Sequence, residues 1–123
     1  MNSNTSSVAA IFLDRDGTVC EEVGYLSDEN KLRLIPGASK AIAMINQAGW
    51  KAIIVSNQSG IARGYMSTGE VERVNQRLLK ILAEEGARID GVYYCPHHPE
   101  GNSPYNIQCD CRKPGAGLLQ KAL

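Results

Sequence analysis

Neither sign of charge is in excess in this sequence: 13 Lys and Arg residues face 13 Asp and Glu residues. A balanced chain has no global field to draw it to nucleic acid or to an anionic membrane surface. Long apolar runs are missing as well. No stretch approaches the roughly 20 consecutive apolar residues that a membrane span needs. The opening MNSNTSSVAA has no basic cluster and only a short apolar run, so it does not read as a secretory signal. No internal repeat or linker interrupts the chain. These absences point to one cytoplasmic domain, and 123 residues are enough to bury a real core.

The apolar residues that are present fall into two alternating patterns. Val8 to Leu13, Lys51 to Val55 and Ile89 to Tyr94 are short apolar runs, suited to strands buried on both faces. Leu32 to Ile35 is a shorter run leading into Pro36-Gly37. Between the strands, Ala38, Ala41, Ile42, Ile45 and Ala48 keep helical spacing, and Gly49 stands where a helix stop is expected. Ser67-Thr68-Gly69-Glu70 is a capping box for a second helix, whose stripe is Val71, Val74, Leu78, Ile81 and Leu82. Residues 1–7 are expected to fray, and Gly115 to Leu123 reads as the start of a further helix. The order predicts an α/β fold: a Rossmann-like parallel sheet with helices on both faces. In such sheets ligands sit beyond the carboxyl ends of the strands. All three polar clusters follow strand ends: Asp14-Arg15-Asp16, Ser56-Asn57 and a loop rich in Cys and His.

Asp14 and Asp16 are like charges one residue apart. On an extended segment residues i and i+2 point to the same side, so both can address one centre, with Gly17 letting the chain turn away. A divalent cation would offset their repulsion, and hard oxygen ligands at a phosphate site favour Mg²⁺. One carboxylate could attack phosphorus while the other handles the proton. A Ca²⁺ loop fits less well, since the third alternate acid is missing and a strand precedes the pair. A structural Asp-Gly turn is the remaining alternative.

Cys95-Pro96-His97 and Cys109-Asp110-Cys111 supply three thiols and one imidazole, a closed tetrahedral set for structural Zn²⁺. Disulfides suit a chain without a secretory signal less well. His98 competes with His97 for the ligand role. Cys20 has no sequence partner and is expected to be a small, semi-buried side chain.

Asp14-Arg15-Asp16-Gly17-Thr18 after a hydrophobic strand resembles the first motif of the haloacid dehalogenase-like phosphohydrolases. Ser56 after Ile53-Ile54-Val55 matches the second motif and Lys113 the third. The resemblance implies that Asp14 is the nucleophile and Asp16 the general acid/base, with Asp14 and Asp16 serving Mg²⁺. Ser56, Asn57 and Lys113 would be donors to phosphate oxygens, a role that phosphoryl transfer demands. Tyr93-Tyr94-Cys95-Pro96-His97-His98-Pro99, Cys109-Asp110-Cys111-Arg112-Lys113-Pro114 and Asn57-Gln58-Ser59-Gly60-Ile61-Ala62-Arg63-Gly64 resemble the heptose bisphosphate phosphatases and the related histidinol-phosphatases. The longer gap between His97 and Cys109 favours the heptose branch.

That branch implies removal of the 7-phosphate from D-glycero-D-manno-heptose 1,7-bisphosphate by a monomeric enzyme without a large cap domain, in a pathway making activated heptose for surface polysaccharide. Zn²⁺ on Cys95, His97, Cys109 and Cys111 would aim Arg112 and Lys113 at the phosphorylated sugar. Arg112 is the first candidate for the sugar or its remaining phosphate, and Arg63 the second. The family's fourth motif, Gly-Asp-x-x-x-Asp, has no match before Leu123. The expectation is therefore a partial domain over 1–123, with a zinc loop over 95–113, poor turnover, and a first strand whose bare edge favours self-association. The alternatives are a histidinol-phosphate phosphatase and a non-catalytic, zinc-stabilised fragment that needs a partner.

Overall fold

A computed structural model describes residues 9–107 together with Cys109, Lys113 and Gly117. The segment 1–7, Cys111, Arg112 and most of the expected last helix lie outside the described residues. Three strands, β1 (Ala10–Leu13), β2 (Lys51–Asn57) and β3 (Gly91–Cys95), pair in parallel in the order β1-β2-β3. The register sets Ile11 beside Ala52, Leu13 beside Ile54, and Ile54 beside Val92. Strand β2 is central and buried from Ala52 to Ser56, as its unbroken apolar run requires.

Helix α1 (Ala38–Gln47) ends where expected, with Gly49 in the left-handed region at φ +80°. Helix α2 (Thr68–Glu84) starts at Ser67 with both halves of the capping box formed. The Glu70 amide donates to Ser67 Oγ at 3.1 Å, and the Ser67 amide donates to Glu70 Oε1 at 2.8 Å. Val71, Val74, Leu78 and Leu82 are buried as their spacing implies, and so is a polar residue, Asn75. A 3₁₀ turn at Glu29–Lys31 occupies the connection after β1. Leu34 there makes only an isolated antiparallel bridge with Cys20.

Both described helices pack on one face of the sheet. Ile42 of α1 and Val74, Leu78 and Leu82 of α2 share a core with Ala52 and Ile54. Burying a side chain of this size contributes about 1.5–3 kcal/mol. The opposite face carries Ile53, Val55 and Cys95, with Ala10, Phe12, Tyr93 and Cys109 against them. Among the described residues it is thus the Cys/His loop, not a helix, that covers this second face. No helix of the described chain is long and apolar enough to cross a membrane.

Candidate active site

Strand β1 ends at Leu13, and the chain turns at once. The Arg15 carbonyl accepts from the amides of Thr18, Val19 and Cys20 at 2.9–3.3 Å, and the Gly17 amide donates to the Cys20 carbonyl at 2.7 Å. Gly17 makes this possible with φ +84°, which a side chain would strain. The extended geometry that would align Asp14 with Asp16 therefore stops just before them, and the two carboxylates take different partners.

Asp14 is half exposed. Its Oδ1 accepts from Lys113 Nζ at 2.9 Å and from the Arg15 amide at 3.1 Å. No described residue donates to Oδ2. Lys113 is 99 residues away in sequence and is placed by Asn57. The Asn57 side chain donates to the Lys113 carbonyl at 3.1 Å and accepts from the Lys113 amide at 2.7 Å. Lys113 Nζ also donates to the Val55 carbonyl at 3.2 Å. Asn57, expected to face phosphate, thus fixes the lysine that does the pairing.

Asp16 is gripped from inside. Arg15, 1% exposed, donates Nε to Asp16 Oδ1 and Nη2 to Asp16 Oδ2, each at 3.1 Å. Its Nη1 donates to Asn75 Oδ1 of α2 at 2.8 Å, and its Nη2 to Gln58 Oε1 at 3.3 Å. Gln58 Nε2 donates to both Asp16 Oδ2 and Ser56 Oγ at 3.1 Å. A buried guanidinium is tolerated here because carboxylate and amide oxygens meet its donors. Cys20 is fully buried, deeper than expected, with Sγ 3.5 Å from Asp16 Oδ1. Burial, reinforced by the Asp16 charge, pushes its thiol up to about 12. Sequence reasoning passed over Arg15, Gln58 and Asn75. A polar Asn inside the apolar stripe of α2 was the available signal.

At the end of β3, Cys95, His97 and Cys109 bring one ligand atom each to within 4.8 Å of one another. Cys109 Sγ lies 3.2 Å from Cys95 Sγ and 3.1 Å from His97 Nδ1. The sulfur separation is well beyond a disulfide bond of about 2.05 Å. Two thiols and an imidazole converging at this range suit Zn²⁺, whose bonds to such ligands are about 2.0–2.3 Å. His98 faces elsewhere, and of the two rings it is that of His97 that joins the two thiols.

No protein-family model matches the chain. It is 44% identical to D-glycero-beta-D-manno-heptose-1,7-bisphosphate 7-phosphatase of Haemophilus ducreyi over 93% of its own length and 63% of that protein's. With the like-named protein of Rhodopseudomonas palustris it shares 41% identity, covering 97% of this chain and 67% of the relative. The chain belongs to the heptose bisphosphate phosphatase family. It therefore spans a little under two thirds of the first of these family members. The crystal structure of D,D-heptose 1,7-bisphosphate phosphatase from B. bronchiseptica, complexed with magnesium and phosphate, matches with a TM-score of 0.82 at 32% identity. That match covers 94% of this chain and 62% of the other family member, whose haloacid dehalogenase-like fold this chain shares.

Proposed function

We propose that the chain forms part of the catalytic domain of a Mg²⁺-dependent phosphatase that removes the 7-phosphate of D-glycero-D-manno-heptose 1,7-bisphosphate. One observation carries this reading above the others. Lys113 reaches across the sheet edge to Asp14 and is held there by Asn57, so residues from all three motif regions meet at one carboxylate. Asp14 Oδ2 attacks phosphorus, and the bond from phosphorus to the sugar oxygen breaks as Asp16 delivers a proton to it. Water then attacks the aspartyl-phosphate, losing a proton to Asp16, and phosphate leaves with Asp14 restored. The Lys113 ammonium and the Ser56 hydroxyl oppose the charge on the phosphoryl oxygens. Asp14 would hold Mg²⁺ through its carboxylate and Asp16 through its backbone, since Arg15 and Gln58 already occupy the Asp16 carboxylate. The ion supplies charge neutralisation at the phosphoryl group when bound.

Zn²⁺ would bind Cys95, His97, Cys109 and Cys111 as a structural ion, consistent with a reducing cytoplasmic location. It would pin the second face of the sheet and the segment that carries Arg112 and Lys113. Among the described residues β1 pairs only with β2, and its other edge would give the chain a place to self-associate.

Phosphate release from the heptose bisphosphate and from histidinol phosphate, with and without Mg²⁺, tests the reading. Mg²⁺-dependent release from the heptose substrate and its loss in Asp14→Asn are expected. Equal or faster release from histidinol phosphate overturns the substrate. Release that survives Asp14→Asn overturns the nucleophile.

A further inference from the structure

The face of α2 that carries Asn75 also borders β3, which is an edge strand among the described residues. Glu72, Asn75, Gln76 and Leu79 keep the three- and four-residue spacing of one helix face. Val92 and Tyr94, two apart on β3, point to the same side of the sheet. These six residues line a cleft of about 260 Å³. That is below the size of cavities that take drug-sized ligands, and it suits a single ring.

The polar groups of the cleft are not all in use. Asn75 is 7% exposed and forms part of the wall. Arg15 Nη1 can only donate, so it is the amide oxygen of Asn75 that meets it, at 2.8 Å. The Asn75 Nδ2 is thereby turned the other way, and no described residue accepts from it. Among the described residues, the one fully enclosed side-chain polar atom without a partner is Arg63 Nε. Asn75 Nδ2 is therefore not enclosed, and the cleft is the opening that Asn75 lines. One helical turn away, Glu72 Oε2 accepts from the Tyr94 hydroxyl at 3.2 Å. Burial raises the Tyr94 phenol and the Glu72 charge adds to the shift, so this hydroxyl keeps its proton. It fills one of the roughly four acceptor positions of the carboxylate. No described cation pairs with Glu72.

The cleft thus offers a donor from a buried amide, an unneutralised acceptor beside it, and apolar walls from Leu79, Val92 and the Tyr94 ring. The complement is a flat ring that carries C=O next to N–H. Its carbonyl would accept from Asn75 Nδ2 and its N–H would donate to Glu72, whose charge turns anions away. Asn75 also has a second connection. Its oxygen holds Arg15, and Arg15 Nε and Nη2 hold both oxygens of Asp16. An acceptor on Nδ2 polarises the same amide and strengthens its oxygen as a partner for Arg15.

We propose that the cleft between α2 and β3 binds a small planar cyclic amide, and that its occupancy is relayed through Asn75 and Arg15 to Asp16. The test needs no turnover, so it stands apart from the function proposed above. The Asn75 side-chain amide and Arg15 Nε–H signals are followed by NMR as uracil is added to the chain. The control is 1,3-dimethyluracil, the same ring with both N–H groups blocked. Both signals are expected to move saturably with uracil at about millimolar concentration and to stay still with the control. Glu72→Leu, a change at an exposed position, should weaken uracil about tenfold. Tyr94→Phe leaves the carboxylate in place and should retain binding.

An Asn75 signal that does not move up to about 20 mM uracil, well above millimolar affinity, would overturn the site. Equal shifts with the blocked ring, or unchanged affinity in Glu72→Leu, would overturn the ligand class. An Asn75 shift without any at Arg15 would overturn the relay to Asp16.

Discussion

Asp14 and Asp16 are separated by a single residue, yet their surroundings are opposite. Asp14 stands half in water with one partly exposed lysine on it. Asp16 is held on both oxygens by an arginine that is itself sealed in the core and tied to α2 through Asn75. The contrast separates two jobs that a phosphoryl-transfer site needs. On the function proposed above, one carboxylate must meet an incoming phosphate, and its partner is partly exposed. The other must keep its position through the cycle, so its partner is buried and over-determined. Arg15, between them, turns its backbone amide to one carboxylate and its guanidinium to the other.

If that division holds, stability should fall steeply for changes on the inner side and hardly at all on the outer. Arg15→Met leaves Asp16, Asn75 and Gln58 without their donor and should cost about 3 kcal/mol, read from urea unfolding. A cost under about 1 kcal/mol would mean that the buried network does not hold the turn. Asn75→Leu keeps the helix and its volume but strands Arg15 Nη1, and about 2 kcal/mol should be lost; an unchanged midpoint would detach α2 from the site.

Cys20 gives a pH-dependent probe of the same inner side. Its thiol is raised in the folded state, so the unfolded chain loses that proton first as pH rises. Stability from this group is complete below a free thiol's ordinary value of 9.0 and declines from there towards about 12. Relative to Cys20→Ala, the parent should lose about 1 kcal/mol more between neutral pH and roughly pH 10. Parallel stability curves for the two chains would contradict this. The smallest effect belongs to Asp14→Asn, which should change stability by no more than about 0.5 kcal/mol because its ion pair is exposed. A larger loss in thermal unfolding would show that Asp14 too is structural, and would blur the contrast.

Much of this was legible in the chain. A continuous apolar run placed β2 and period-3.6 stripes placed α1 and α2 within a residue or two, and Ser67 with Glu70 marked the start of α2. Cysteine and histidine spacing marked the converging donors at Cys95, His97 and Cys109. Side-chain direction was less legible, because alternation along a strand says nothing once the strand has ended. Asp14 and Asp16 lie just past that point, in a turn wrapped around the Arg15 carbonyl. Asn57 was read as facing phosphate, but its partner is the backbone of a residue 56 positions away.

The sequence by itself determined the alternation of strands and helices, the cap and stops of the helices, and which residue types gather beyond the strand ends. These follow from local sterics and from hydrophobic periodicity, which act over a few residues. Only the tertiary structure decided which carboxylate is clamped and which is open, that Arg15 is buried, and that Arg63 meets His98. Those outcomes depend on desolvation and on pairings between distant segments, and no short window of sequence contains both partners.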